Sequence, residues 1–354
     1  MKTVTVAASR RYDVLIGPGL LREAGAFAAE AVRPCRAAIV SDDTVDTLDG
    51  AAAEEAFARA GFAPERFVFP HGEASKNLNV LGETLNFLAG KRLSRSDVVV
   101  ALGGGVVGDL AGFAAACYLR GVQYIQIPTT LLAAVDSSVG GKTAVDLPAG
   151  KNLAGAFHQP SLVLCDTDLL GTLPERTFRE GAAEVAKYGV LEGGALFARL
   201  ERGLSPADAD LADVIAACVD CKRRAVEGDE FDRGARQLLN LGHTMGHAVE
   251  LLSDYRLYHG ECVAIGLAAV TRAACRKGLC PAGDAARIET LLRRLGLPTE
   301  TDCTAGDILR VCGGDKKIRG GEIRLVVPEG VGHCTLRPMP LGELRGWIEA
   351  GLQP

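Results

Sequence analysis

The chain has 354 residues, which exceeds the size at which one hydrophobic core usually stops growing, so two domains are expected. Its net charge of -5, without a block of basic residues, argues against a nucleic-acid partner. Charges or glycines interrupt each apolar run before it reaches the length of a membrane span. The N-terminus alternates like a strand and lacks the apolar core of a signal peptide, so a cytoplasmic location is expected.

Strand and helix patterns alternate in the first half of the chain. In chain order they predict a hairpin of strands 2–7 and 12–16, helix 20–31, strand 36–42, helix 44–60, strand 65–69, helix 77–91, strand 97–102, helix 106–118, and strands 122–127 and 161–166. Such alternation is typical of a parallel α/β sheet with helices on both faces.

Helical patterns dominate the second half. They cover 174–188, 193–202, 208–227, 235–252, 260–277 and 283–295, and short strands are predicted near 322–327 and 334–337. The sequence therefore predicts an α/β domain at 1–168 and a mainly helical domain at 169–354. The cleft between two such domains is the default place for a site.

A glycine-rich turn, Gly103-Gly-Gly-Val-Val-Gly-Asp109, follows the predicted strand 97–102. Glycines between a strand and a helix let backbone amides approach a pyrophosphate at the positive end of the helix. The turn departs from the usual dinucleotide fingerprint, because several strands precede it and no acid follows before Asp136. Asp42 or Glu73 could supply the acid for a ribose. The alternative is a tight turn that only packs a helix onto the sheet.

Polar residues and glycines are dense between 128 and 160. The segment Asp136-Ser-Ser-Val-Gly-Gly-Lys-Thr143 resembles the end of a P-loop, but the glycine that the P-loop needs is an aspartate here. A nucleoside-triphosphate site is therefore disfavoured. Lys142, Lys151 and Asn152 are candidate ligands of an anion, because ammonium and amide groups suit one. The alternative is a solvated loop.

Three of the six histidines, His243, His247 and His259, fall within one short segment. The first two are four residues apart in a helical pattern and share a face, which is typical of a divalent-metal site when a further ligand lies nearby. Glu184 is a candidate ligand, three residues before Lys187 on another predicted helix. The alternative for the histidines is that one packs or caps while another is solvated. The alternative for Glu184 and Lys187 is a surface ion pair.

Three further polar residues, Lys222, Arg236 and Asn240, precede the histidines in helical patterns. They could bind a carboxylate through charge-assisted hydrogen bonds.

Six motifs occur in a fixed order along the chain, at 103–113, 126–143, 150–157, 183–189, 239–247 and 259–261. Together they resemble the 3-dehydroquinate synthase family, and the resemblance runs nearly from end to end. It implies an N-terminal Rossmann-like NAD-binding domain, a helical C-terminal metal- and substrate-binding domain, and a homodimer.

The resemblance also implies roles for individual residues. The metal ligands are Glu184, His243 and His259. The NAD-binding positions are Asp42, Glu73, Lys76, Gly104, Gly105, Val106, Val107, Gly108, Asp109, Thr129, Thr130, Lys142, Lys151, Leu169, Leu170, Gly171, Thr172 and Leu173. The substrate-binding and catalytic positions are Arg120, Asp136, Lys142, Asn152, Lys187, Lys222, Arg236, Asn240 and His247. Among them, His247 serves the phosphate and proton transfer, and Arg120 reaches the neighbouring subunit's site. Lys316 or Lys317 also contacts phosphate.

The implied reaction is the shikimate-pathway step that converts 3-deoxy-D-arabino-heptulosonate 7-phosphate into 3-dehydroquinate and phosphate. NAD takes a hydride from a substrate hydroxyl that the metal polarises, phosphate is eliminated, the hydride returns, and an aldol reaction closes the ring. A Glu/His/His ligand set suits zinc or cobalt. The alternatives are another sugar phosphate cyclase and a metal-dependent polyol dehydrogenase of related fold.

Overall fold

The computed structural model describes residues 1–313 and 322–353; Lys316 and Lys317 lie outside the described residues. The chain forms two compact units. The first unit is Met1–Leu173 with Ala209–Phe231, and the second is Pro174–Asp208 with the described part of Asp232–Pro354. Within the described residues, no helix is both long enough and apolar enough to cross a membrane.

The strands and helices follow the predicted alternation. The strands are β1 (Lys2–Ala7), β2 (Arg11–Gly17), β3 (Arg36–Asp42), β4 (Ala63–Phe69), β5 (Val98–Gly103), β6 (Gln123–Pro128), β7 (Lys142–Leu147), β8 (Gly150–Phe157), β9 (Leu162–Asp166), β10 (Glu322–Gly330) and β11 (His333–Pro340). The α-helices are α1 (Ala24–Ala31), α2 (Asp43–Val45), α3 (Ala51–Arg59), α4 (Leu78–Gly90), α5 (Gly105–Cys117), α6 (Glu175–Glu192), α7 (Gly194–Leu200), α8 (Leu211–Gly228), α9 (His243–Leu252), α10 (His259–Arg276), α11 (Ala282–Arg294), α12 (Ala305–Gly313) and α13 (Leu341–Leu352).

One sheet of seven described strands forms the centre of the first unit, in the order β1-β2-β9-β6-β5-β3-β4. β1 pairs with β2 as the predicted antiparallel hairpin, and the remaining neighbours are parallel. The second unit is mainly helical and contains the β10–β11 hairpin. The predicted fold class, a parallel α/β region followed by a helical part, is confirmed.

Strand β5 shows that the parallel sheet is covered on both faces. All six of its residues are buried. Val98, Val100 and Leu102 belong to one apolar cluster, and Val99 and Ala101 belong to another. Because alternate side chains of a strand point to opposite faces, the sheet has a core on each side.

The strand order reverses between β3 and β5. β4 continues from β3 toward one edge, whereas β6 and β9 continue from β5 toward the other. Asp42 is the last residue of β3 and Gly103 is the last residue of β5, and the two strands are paired in parallel. Ligands of open α/β sheets bind at the carboxyl ends of the strands at such a reversal, so the sheet places two predicted NAD-binding segments at this edge.

The unit boundaries differ from the predicted domains in two places. The first unit continues past position 168 to Leu173, and it also includes α8, which the sequence analysis assigned to the second domain. Helix α8 is bound to β1 by the Lys2–Asp213 ion pair at 2.5 Å and by the Ala7 amide, which donates to Glu227 at 2.8 Å.

Three local features were not predicted. Residues 142–157 form the β7–β8 hairpin, in a segment for which no strand was predicted. The predicted helix 235–252 is interrupted, because Ala235–Asn240 is a 3-10 helix, Gly242 is left-handed at φ 81°, and α9 begins at His243. Helices α12 and α13 had no prediction.

Glycines allow α9 and α10 to approach closely in the second unit. A Cβ atom on Gly266 would collide with the Gly242 carbonyl oxygen and would lie 2.7 Å from the Gly246 amide nitrogen. A Cβ atom on Gly246 would lie 2.8 Å from the Cys262 carbonyl oxygen. The two helices that carry the three clustered histidines therefore pack with backbone almost against backbone.

The variant Gly266→Ala should lower the free energy of unfolding by about 1–3 kcal/mol, because the added methyl forces the helices apart. Gly82→Ala is a matched control on α4, where a Cβ would meet nothing within 4 Å. It should be neutral or stabilising by up to about 1 kcal/mol. Urea unfolding followed by circular dichroism measures both, and equal stability of the two variants would contradict the close packing.

Candidate active site

The second unit brings the three clustered histidines together. One ring nitrogen from each of His243, His247 and His259 lies within 4.8 Å of the others. His243 is the first residue of α9, His247 lies one turn later, and His259 is the first residue of α10. The cluster therefore depends on the ends of two helices.

Glu184 of α6 adds a carboxylate to this cluster. Its Oε1 atom lies 3.4 Å from Nε2 of His243 and 3.4 Å from Nε2 of His259. Its Oε2 atom lies 2.5 Å from the Lys187 ammonium nitrogen, and both side chains are 1% exposed. The alternative of a surface ion pair is wrong, because the pair is buried.

Hydrogen bonds at the other ring nitrogens orient both imidazoles. Nδ1 of His243 lies 3.1 Å from the Leu241 carbonyl oxygen, and Nδ1 of His259 lies 3.2 Å from Oε2 of Glu250. Both oxygens can only accept, so each Nδ1 carries a proton. Both Nε2 atoms therefore face the same Glu184 oxygen, and either a proton on one ring or a metal ion between the ligands makes this arrangement favourable.

A divalent metal ion fits this donor set. Glu184, His243 and His259 supply one carboxylate and two imidazole ligands, which is typical of a catalytic site that keeps an open position. The distances between their ring nitrogens would also allow His243, His247 and His259 to hold a metal ion together. The orienting hydrogen bonds favour the Glu184 set, because its two histidines have their Nε2 atoms aimed at the same oxygen.

Burial and charge set the pKa values of these groups. Burial lowers the pKa of His243, which keeps its ring neutral. Burial also lowers the pKa of His259, but Glu184 and Glu250 outweigh that effect and raise it to about 10. Burial raises the pKa of Glu184, yet Lys187 and His243 bring it well below its usual value, so the carboxylate stays ionised.

Glu250 is a functional candidate that the sequence analysis missed. It is 5% exposed and holds His259 through a carboxylate–histidine hydrogen bond, which orients metal ligands in many proteins. Its position three residues after His247 on α9 was the available signal, since a buried acid on the histidine face needs a partner. Glu261 fixes the start of α10, because its carboxylate accepts hydrogen bonds from the Tyr258 amide at 2.8 Å and from Arg176.

In the first unit, the glycine turn joins β5 to α5. Gly104 precedes the helix, and no side chain caps the helix amides there. A Cβ on Gly104 would lie 3.0 Å from Thr130 Cγ2, and one on Gly105 would lie 3.3 Å from Ser137 Oγ. An uncapped helix start at the reversal of the sheet fits a nucleotide pyrophosphate.

Charged residues line this edge of the first unit. Lys76 Nζ lies 2.6 Å from Asp109 and 3.9 Å from Glu73, and Lys151 Nζ lies 3.4 Å from Glu73. Asp42 accepts from two amides at the start of α2. Ion pairs thus hold together four predicted NAD-binding side chains, those of Glu73, Lys76, Asp109 and Lys151.

Other predicted NAD-binding residues lie at neighbouring strand ends. The Thr129 amide donates to the Gly103 carbonyl at 3.0 Å, and its buried hydroxyl has no hydrogen-bond partner within the described part of the chain. Val106, Val107 and Gly108 lie in the first turn of α5. Residues 169–173 follow β9, two strands away from β5 in the sheet, so the structure places them apart from the glycine turn.

Asp136 and Lys222 are brought together from distant parts of the sequence. Lys222 of α8 is 5% exposed and forms an ion pair with the Asp136 carboxylate. Its ammonium group also donates to the Asp136 carbonyl oxygen at 2.6 Å. The return of α8 to the first unit creates this pair of predicted substrate-binding residues.

The remaining predicted residues lie on both units. Lys142 is the exposed first residue of β7, and Asn152 is exposed on β8. Arg120 is exposed in a left-handed turn at φ 67°. In the second unit, Arg236 is 2% exposed and Asn240 donates to the Gln237 carbonyl at 3.1 Å.

The chain is similar to known proteins of one family. Models of the 3-dehydroquinate synthase N-terminal and C-terminal regions match residues 66–180 and 181–318. The 3-dehydroquinate synthase of Ruegeria pomeroyi is 46% identical over 347 residues, which cover 94% of this chain and 94% of that protein.

Two solved structures have the same fold. The 2-deoxy-scyllo-inosose synthase complexed with carbaglucose-6-phosphate, NAD+ and Co2+ has a TM-score of 0.88 and 26% identity, and covers 99% of this chain and 100% of that chain. The 2-epi-5-epi-valiolone synthase of Streptomyces hygroscopicus, with NAD+ and Zn2+ bound, has a TM-score of 0.86 and 29% identity, and covers 99% and 98%.

Both solved structures are sugar phosphate cyclases that share the fold over nearly the whole chain, which places the fold in that class. Within that class the chain belongs to the 3-dehydroquinate synthase family, because both family models and a relative with 46% identity match it. The resemblance seen in the sequence is confirmed.

The variant Glu250→Ala should weaken metal binding about 10- to 100-fold, because His259 loses the acceptor that orients it. Glu250→Gln should lose less, since an amide oxygen can still accept from Nδ1. Competition with a chelating indicator, using metal-stripped protein and zinc, measures the dissociation constants. Glu300→Ala, which removes an exposed acid of the same unit, is the control. Equal zinc affinity of Glu250→Ala and the control would remove Glu250 from the site.

Proposed function

We propose that the protein converts 3-deoxy-D-arabino-heptulosonate 7-phosphate into 3-dehydroquinate and phosphate, using NAD and one divalent metal ion. The observation that carries the proposal is the Glu184 oxygen that faces the Nε2 atoms of His243 and His259, in a chain of this family. Such an enzyme is a carbon–oxygen lyase that acts on phosphates.

The two cofactors divide the chemistry. When bound, the metal polarises a substrate hydroxyl, and NAD accepts and later returns a hydride, so the reaction has no net oxidation. Glu184, His243 and His259 would hold the metal, and the glycine turn after β5 would hold the NAD pyrophosphate. The related cyclases carry Co2+ in one case and Zn2+ in the other, and the ligand set suits either ion.

Residues around the metal ligands handle protons and oxygen atoms. The buried Lys187 ammonium keeps Glu184 ionised and is a donor for a substrate oxygen. The His247 ring centroid lies 5.3 Å from that of His243 and 5.7 Å from that of His259. His247 therefore lies beside the proposed metal ligands, and we assign to it the transfer of a proton when phosphate leaves.

Charged and amide side chains would recognise the anionic groups of the substrate. We assign Lys142, Asn152 and the Asp136–Lys222 pair, from the first unit, and Arg236 and Asn240, from the second, to the substrate carboxylate, hydroxyls and phosphate. A planar guanidinium can bind a carboxylate through two parallel hydrogen bonds. A carboxylate is present in the heptulosonate phosphate and absent from glucose 6-phosphate and sedoheptulose 7-phosphate, so these residues favour the first substrate.

The assembly and pathway are part of the same proposal. Arg120 is exposed on the first unit, which suits a residue that completes the site of a second copy in a homodimer. The reaction belongs to the shikimate pathway toward chorismate and the aromatic amino acids, which implies a cytoplasmic location.

The purified protein with NAD and zinc or cobalt should release phosphate from the heptulosonate phosphate without accumulating NADH. A phosphate assay and the NADH absorbance, followed in the same cuvette, measure both. A chelator should stop the release. NADH that accumulates with turnover would indicate a polyol dehydrogenase. Release only from glucose 6-phosphate or sedoheptulose 7-phosphate would indicate another cyclase.

The variant His243→Ala should lose both bound metal and turnover, because one of three protein ligands is gone. His333→Ala is the matched control, since His333 is exposed on β11 and forms an ion pair with Glu329. It should keep the metal content and activity of the parent protein. Metal analysis by mass spectrometry separates the ligand role from a catalytic one. Full metal content in His243→Ala would make the ligand assignment wrong.

A further inference from the structure

The β7–β8 hairpin contains an irregularity at the residues assigned to ligands. Its ladder pairs Val145 with Ala154 and Leu147 with Gly150. Residues 151–153 therefore oppose the single residue Asp146. Bulges of this kind lie next to many active sites, where they re-aim a side chain.

Asp146 closes the bulge with its side chain. Its Oδ1 atom accepts a hydrogen bond from the backbone amide of Asn152 at 2.7 Å. Asn152 has φ 54°, in the left-handed region that most side chains avoid and asparagine tolerates. The hydrogen bond thus stabilises the backbone turn that aims the side chains of Lys151 and Asn152.

Asp146 also binds the segment that carries Lys76. Its amide donates to the Lys76 carbonyl oxygen at 2.8 Å, and Asp146 forms a parallel bridge with Asn77. Lys76 is paired with Asp109 of α5 at 2.6 Å. One residue therefore connects the hairpin bulge to the nucleotide-binding edge of the first unit.

We propose that Asp146 is a positioning residue, which sets Lys151 and Asn152 in place against the Lys76 segment for NAD and substrate binding. This inference rests on the proposed function, because it assumes that these three residues contact the ligands. The role requires a hydrogen-bond acceptor at position 146, and a negative charge is not needed.

The charges around Asp146 agree with an acceptor role. Burial raises the pKa of Asp146, and the Glu73 carboxylate raises it further, whereas the Asn152 amide and Lys76 lower it. Glu73 also pairs with Lys151 at 3.4 Å. The hydrogen-bond geometry requires an acceptor for the Asn152 backbone amide at position 146.

The test compares Asp146→Ala with Asp146→Asn, because the asparagine amide oxygen can accept the same hydrogen bond. Asp146→Ala should lower kcat/KM for the heptulosonate phosphate about 10- to 100-fold, since small misplacements of substrate-binding groups have such effects. It should also raise the Kd for NAD+ measured by calorimetry. Asp146→Asn should stay within about threefold of the parent in both quantities, on the same reasoning. Glu83→Ala removes an exposed acid of α4 and is the control.

Two results would overturn the proposal: parent-like kinetics of Asp146→Ala, or equal impairment of both variants, which would make the charge decisive. If Asp146→Ala does not fold, Asp146→Ser, with a shorter side chain, replaces it. If the parent protein itself releases no phosphate from this substrate, the proposed function fails. A crystal structure of the alanine or serine variant then decides the positioning role: a changed φ at Asn152 supports it, and an unchanged φ refutes it.

Discussion

The buried charge of Glu184 is the constraint on which the second unit depends. A carboxylate that is 1% exposed must be compensated, because an isolated charge in the interior is very unfavourable. Lys187 supplies one partner from the same helix, and the Nε2 atoms of His243 and His259 converge on the remaining oxygen. This convergence requires α9 and α10 to begin near α6. The glycines at the contact between α9 and α10 allow these two helices to pack closely against each other.

The first unit meets a different constraint, which comes from the sheet. The strand order reverses between β3 and β5, and the start of α5, which no side chain caps, lies at the carboxyl end of β5. The ion pairs of Lys76 and Lys151 place several charged side chains along that edge. A polar, amide-rich edge over an apolar core explains how one fold can both bury its strands and bind an anionic nucleotide.

The sequence allowed prediction of the main sheet and most helices, because their apolar periodicity is strong; the hairpin at 142–157 was missed because glycines and polar residues hide its alternation. The break before α9 was missed because Gly242 looks tolerable in a helix until its contact with α10 is known. Motifs indicated the residues that we propose to face ligands. Glu250 and Asp146 could not be assigned, because their roles depend on partners distant in sequence or on an irregular hydrogen bond. The site assignments themselves stay predictions.

The charges of the cluster would make a metal bound as proposed compete with a proton on His259. The Glu184 and Glu250 carboxylates both face the His259 ring and raise its pKa to about 10, which favours a proton on Nε2, and Glu184 also pairs with Lys187. A metal needs the same Nε2 lone pair, and its binding must displace that proton. The neutral His243 ring needs no such exchange, since burial lowers its pKa. A protonated His259 and a metal bound as proposed would therefore be alternative cations beside Glu184, in a cluster whose side chains the fold already brings together.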